Sequence, residues 1–359
     1  MIKSGIKYSS KLNINTALES GFSQFEVDYS DIDIFLTKTE EQCENCNKPM
    51  VVGICVSLED MTKQIFLDVL DKAESLKSKY IVISTMNCDS ADNLFDIVSE
   101  SKDKIKAIDI YIENNCVLKN DRYLYGKFSD ARQLREISDK LNNIVESEKF
   151  GVCIDIGYAN VLGMNIRCLI EDMGSSLKLL HMNDNNGITL QNQLPYTFTT
   201  GRGELSTDWY RIIGALVRTH YQGGFIFNTT GLINRTPIEL QHIMITLLKA
   251  LEDEWSEQFE FEKKLKNSKN IILFGAGKMA QNYMEEWGDR YKPSFFVDNN
   301  SSVWGEVRMG IEIKSPQEIF NIPENDRLVL ICNLFYDEVG EQLDSMDIKY
   351  SCYWDHYYL

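Results

Sequence analysis

Along residues 1–250, short apolar runs alternate with longer stretches whose apolar positions recur at helical spacing. GIKY (5–8) precedes NTALESG, and QFEVDY (24–29) follows. VVGICVSL (51–58) leads into MTKQIFLDVLDKAESLKS, YIVISTM (80–86) into DNLFDIVSESKDK, and AIDIYIENN (107–115) into SDARQLREISDKLNNIV. FGVCIDIGY (150–158) comes before MNIRCLIEDM, LKLLHMN (177–183) before STDWYRIIGALVRTHY, and GGFIFNT (223–229) before TPIELQHIMITLLKALEDE. Several of these runs are continuously apolar, as strands of a parallel sheet covered on both faces must be. Ser129, Ser206 and Thr236 stand at helix entries as candidate caps. Eight strand–helix units over about 250 residues predict a (β/α)8 TIM barrel, with a doubly wound sheet as the alternative. Polar residues recurring at strand C-terminal ends, namely Glu26, Glu113, Asp155, His181 and Asn228, favour the barrel.

Residues 251–268 are rich in charge and predict a helical linker. Residues 269–359 then open a second α/β unit. IILFGAGKMAQNYMEEW reads as strand, glycine turn and helix, PSFFVDNN as a second strand ending in Asp298, and RLVLICN (327–333) as a third. A stretch of this size fits a small Rossmann-like parallel domain of three to five strands. In FGAGKMA, Gly275 and Gly277 would let the backbone approach a phosphate at a helix N-terminus, and Asp298 could bond a ribose hydroxyl. The alternative is a tight turn that only lets helix and strand pack closely.

Composition narrows the functional classes. The chain has 359 residues and a formal net charge of −17, and from Lys269 onward there are 8 basic and 15 acidic residues. Neither part offers the basic face that a nucleic-acid binder needs. No apolar run reaches the roughly 18 residues of a membrane span, and MIKSGIKYSS lacks the apolar core of a signal peptide. Nine cysteines are then read as free thiols in a reducing cytoplasm. The single CxxC, Cys43 to Cys46, has no second pair to complete a zinc site and reads as loop thiols.

In a barrel of this kind, strand C-terminal ends converge on one site. Glu113, Asp155 and His181 come from consecutive predicted barrel strands. Two carboxylates and an imidazole suit a divalent metal of the Mn, Zn or Co type. Such a metal polarises a carbonyl and stabilises the enediolate left when a proton departs from the neighbouring carbon.

The same segments resemble the xylose-isomerase-like barrels, which include sugar phosphate isomerases and epimerases and the type-IV AP endonucleases. TALESGFSQFEVDYSD is similar to that family's opening "A…G…vE" stretch, with Glu26 in the acidic position. YIENN resembles its "LEN" strand, GVCIDIGYAN its "D-x-G-H" strand, LLHMNDNNG its "H-x-x-D" strand, and GRGELSTDW its "G-x-G-x-x-D-W" loop. The resemblance spans residues 3–250 and implies a metal held by Glu113, Asp155, His181 and a final glutamate. At that last position this chain has Asn228, which can coordinate through its carbonyl oxygen but cannot accept a proton. Tyr158 replaces the histidine of "D-x-G-H", and Gln191 and Gln193 stand in a "D-x-H-x-P" stretch, which argues against a three-zinc endonuclease. Two accounts fit. The barrel keeps one metal (Mn, Zn, Co or Mg) and does one-base isomerase or epimerase chemistry through Glu113 or Tyr158, or it binds a sugar without catalysis. A lyase or dehydratase is a third account.

The second unit resembles small Rossmann-like modules of surface-polysaccharide enzymes, through Asp298, Asn299, Gly305, Gly310, Ser315 and Pro316. That resemblance implies a nucleotide or nucleotide-sugar ligand and a place in surface-glycan synthesis. Arg202 stands in a loop where it could meet a phosphate. The aromatic tail, residues 350–359, is expected to pack on the small domain or to form a homo-oligomer contact.

Overall fold

In the computed structural model, which describes residues 4–42, 50–88, 90–198 and 207–353, the chain divides into two compact units, Met1–Ser256 and Glu257–Leu359. Cys43, Cys46, Ser206, Arg202 and most of the aromatic tail lie outside the described residues.

The first unit is a closed barrel of eight parallel strands: β1 (Ser4–Lys7), β2 (Gln24–Asp28), β3 (Met50–Ser57), β4 (Tyr80–Ser84), β5 (Asp109–Glu113), β8 (Phe150–Asp155), β9 (Leu177–Met182) and β10 (Gly224–Phe227). A short hairpin, β6 (Val117–Lys119) and β7 (Arg122–Leu124), is inserted after β5, where the apolar pattern predicts no strand. The barrel closes between β1 and β10, where Ile6 lies opposite Phe227.

Alternation along the strands sorts the core. Val52, Cys55, Tyr80, Val82, Cys153, Leu179 and Ile226 form one buried cluster. On β10, Phe225 and Phe227 flank Ile226 and both pack on Trp255, whose ring stacks on that of Trp209 at 5.8 Å. Trp255 belongs to the helix Gln241–Phe259, so part of the expected linker is the continuation of the last barrel helix.

Helix entries differ from expectation by a residue or more. Asp130 caps Ala131–Val145 and Asp208 caps Trp209–Arg218. The Ser129 hydroxyl instead donates to the Asn115 carbonyl, and the Thr236 hydroxyl donates to the Leu232 carbonyl. Each aspartate accepts from amides of the first turn, Asp130 from Arg132 and Gln133 and Asp208 from Arg211.

The second unit holds a six-stranded sheet, more than the three to five strands expected: β11 (Asn270–Phe274), β12 (Phe295–Val297), β13 (Val307–Arg308), β14 (Ile311–Lys314), β15 (Arg327–Ile331) and β16 (Tyr350–Cys352). The order is β13-β14-β12-β11-β15-β16, all parallel except β13 against β14. Ile272, Phe274, Val297, Val329, Ile331 and Leu343 make its core. Among the described residues no helix is long and apolar enough to cross a membrane.

Barrel packing leaves little room at Gly53, where an added Cβ would fall within the ring of Tyr80. Gly53→Ala is therefore expected to lower stability by about 1–3 kcal/mol, the usual cost of overpacking. Urea denaturation followed by circular dichroism reads this out, and an unchanged midpoint would mean that the ring moves aside freely.

Candidate functional site

At the C-terminal end of the barrel, a chain of alternating charge crosses the lumen. His181 on β9 lies 2.6 Å through Nδ1 from Oε1 of Glu113 on β5. Its Nε2 is 3.1 Å from Glu26 on β2. Glu26 in turn faces the Lys7 ammonium at 3.4 Å, and that ammonium reaches Asp28 at 3.1 Å. His181 and Glu26 are fully buried, and Glu113 and Lys7 nearly so.

These charges are mutually dependent, since a buried ion without a partner is costly. Burial pushes the Glu26 carboxyl upward, but His181 and Lys7 outweigh it and bring it down to about 2. Burial disfavours the imidazolium of His181, yet Cys153 and Glu26 hold its pKa well above the ordinary value. Burial likewise opposes charge on Lys7, and Asp28 leads the groups that hold its pKa well above normal. Lys7 was not singled out in the sequence. No sequence signal marks it: barrel closure, with Ile6 in register with Phe227, is what brings Lys7 to the side of Asn228.

Asp155 ends β8 and sits 3.8 Å from His181 Nδ1. Its carboxylate accepts four hydrogen bonds from three donors. Oδ1 accepts from the Asn183 amide at 3.0 Å and from the backbone N–H of Tyr158 at 3.0 Å. Oδ2 accepts from Asn183 at 3.0 Å and from the Asn228 amide at 3.2 Å. Burial, and then the nearby Glu113, raises its pKa. Asn228 offers its nitrogen to Asp155, while its Oδ1 accepts from the Thr230 hydroxyl at 3.2 Å and the Asn192 amide at 3.4 Å. Both ends of that amide are therefore engaged.

The sequence-selected residues Glu113, Asp155, His181 and Asn228 do meet at one end of the barrel. Among the described residues, the set of metal-type donors that lie mutually close differs from that list. Ligand atoms of Glu113, Cys153 and His181 all lie within 4.8 Å of one another. Cys153 escaped notice because it reads as an apolar position, yet it lies two residues before Asp155 on the same side of β8. All three are buried, and two anionic-capable donors beside an imidazole nitrogen suit a divalent ion of intermediate softness.

A cavity of about 490 Å³ opens above, lined by Lys7, Asp28, Ser57, Ser84, Glu113, Tyr158 and Asn228 among others. Tyr158 lines it, with its hydroxyl 3.7 Å from the Met86 sulfur. Burial raises the Tyr158 pKa well above the ordinary phenol value. Gln191 and Gln193 lie on the loop that follows β9, where Gln193 pairs through its backbone with Asp184. Asp184 anchors this loop by accepting from the Thr207 hydroxyl at 2.8 Å and the Trp209 indole at 3.3 Å.

A separate cavity of about 610 Å³ lies in the second unit, at the C-terminal ends of β11, β12 and β15. Gly275, Gly277, Asp298, Asn299, Asn333 and Gln342 line it. Gly275 has φ +113°, and a Cβ there would press on the Cys332 carbonyl. The sheet runs outward from β11 to β12 and β14 and then returns to β15, so the cavity stands where strand order reverses. Such switch points are where open parallel sheets bind ligands.

No curated protein matches the chain. A family model described as "C2185-like, N-terminal" matches residues 267–351. Among solved structures, an L-ribulose 3-epimerase matches at 12% identity and TM-score 0.52, covering 75% of this chain and 99% of its own. A protein named IOLI, whose crystal structure carries a zinc atom, matches at 13% identity and TM-score 0.51, covering 72% of this chain and 98% of its own. These likenesses show the fold alone: the first unit is a closed eight-stranded parallel TIM barrel, as those structures are.

Proposed function

We propose that the barrel is a sugar isomerase or epimerase that works by metal-assisted enolisation. One observation carries this reading: Glu113, Asp155 and His181 converge, buried, beneath a polar cavity of sugar size. The likeness to an L-ribulose 3-epimerase and to a zinc-carrying protein supports it. A divalent ion held where these strand ends converge would supply Lewis-acid polarisation of the substrate carbonyl.

The chain's own residues would do the rest. Glu113 lines the cavity and is the carboxylate placed to take a proton from the carbon beside the carbonyl. Tyr158, whose phenol keeps its proton at neutral pH, would return one. Lys7, charged and next to Asn228, adds a cation near the developing oxyanion. Ser57 and Ser84 offer hydroxyls for sugar hydrogen bonds.

The second unit would hold the nucleotide portion of an activated sugar, with Gly275 and Gly277 admitting a phosphate and Asp298 bonding the ribose. With that ligand the protein would act in surface-glycan synthesis and in the cytoplasm, where nucleotide sugars are made. A second reading, sugar binding without catalysis, draws on the four hydrogen bonds that occupy the Asp155 carboxylate.

In D2O with Mn2+, Co2+ or Zn2+, the protein should catalyse solvent deuterium uptake beside the ketone of ketopentoses or ketohexoses. Glu113→Gln should slow this by about 10²–10⁴-fold, the usual contribution of a positioned base. Absence of exchange together with a sugar-induced melting shift would select the binding reading. For the second unit, uridine or thymidine diphosphate sugars should raise the melting temperature, and Asp298→Ala should reduce the rise. No shift with any nucleotide sugar would remove the nucleotide assignment.

A further inference from the structure

We infer that Cys153 is a ligand of the barrel metal, so that the ion is held by a thiolate, a carboxylate and an imidazole and belongs to the thiolate-preferring class, Zn2+ or Co2+, rather than Mg2+ or Mn2+. The inference rests on the metal reading above and assigns the ion's partners within that site.

Three observations converge on Cys153. Its sulfur, the Glu113 carboxylate and a His181 ring nitrogen lie within 4.8 Å of one another, and all three residues are buried. Glu113 and Cys153 are register partners on adjacent strands, which fixes both against the same stretch of lumen. The donors otherwise expected are committed elsewhere. Asp155 already accepts four hydrogen bonds, and Asn228 uses its nitrogen on Asp155 and its oxygen on Thr230 and Asn192.

Charge leads to the same residue. With asparagine at position 228 the cluster lacks one carboxylate, and a thiolate restores that negative charge beside the cation. His181 suits the role, because its Nε2 faces the Glu26 carboxylate. A metal-bound imidazole characteristically gives its second N–H to such an outer acceptor, which fixes the tautomer and the ring orientation. Thiolate ligands favour zinc and cobalt, whereas oxygen-only sites favour magnesium and manganese.

The test is a Co2+ titration of the full chain, stripped of metal and carrying Cys43→Ser and Cys46→Ser so that the CxxC contributes no sulfur. Visible d–d bands should appear together with an intense near-ultraviolet thiolate-to-cobalt charge-transfer band. Cys153→Ser, nearly isosteric, should keep a folded circular-dichroism spectrum, lose the charge-transfer band and bind Co2+ at least 10-fold more weakly. Asp155→Asn should retain the band. Visible bands without charge transfer in the parent protein would overturn the Cys153 assignment while leaving the metal reading intact. No cobalt binding at all would overturn both.

Discussion

The imidazole of His181 between the carboxylates of Glu113 and Glu26 is the interaction on which the rest of the barrel mouth depends. None of these side chains has meaningful contact with water, so each charge exists only because the next one does. Removing one partner of a buried pair typically costs about 3–5 kcal/mol, because the other is left uncompensated. The chain continues through Lys7 to Asp28 at the barrel rim. Four strands, β1, β2, β5 and β9, are thereby tied at one end of the lumen. Such an arrangement adds little net stability compared with an apolar plug of the same shape. Under the metal reading, a divalent cation would displace the imidazolium proton and be held by the same row of acids.

Around that row the backbone is built to hold still. Asn114, just past β5, accepts from the Asp155 N–H at 2.6 Å and donates to the Asp155 carbonyl at 3.1 Å, which locks the ends of two adjacent strands. Asn115 donates to the carbonyls of Thr85 and Cys88, and the Ser129 hydroxyl donates back to Asn115. Asn185 links the loop after β9 to Gly157 and Asn160. The asparagines of YIENN and MNDNNG are therefore scaffolding for the site, set where strands must stop and backbone groups would otherwise lack partners.

Much of this was legible in the chain. Eight apolar runs became eight barrel strands whose limits shift by at most three residues, because a strand covered on both faces has an unmistakable hydrophobic signature. Glu113, Asp155 and His181 stood out as polar residues ending such runs. Lys7 and Cys153 did not. A lysine at a strand end looks like ordinary surface, and a cysteine among valine and isoleucine looks like core. Only barrel closure puts Lys7 beside Asn228, and only the β5–β8 register puts Cys153 opposite Glu113. The hairpin at 117–124 was hidden because its six strand residues are mostly exposed and carry no buried face. The second unit's extra strands, β13 and β16, are two and three residues long, too short for any periodicity.

The central claim is that the His181 cluster is a cation site. Metal analysis by mass spectrometry on dialysed protein, compared with a folded His181→Gln variant, tests it most directly. The account predicts about one transition-metal ion per chain in the parent protein and a loss of that ion in the variant. A parent protein that retains no divalent metal, and whose melting temperature does not change when zinc, cobalt or manganese is added, would contradict it.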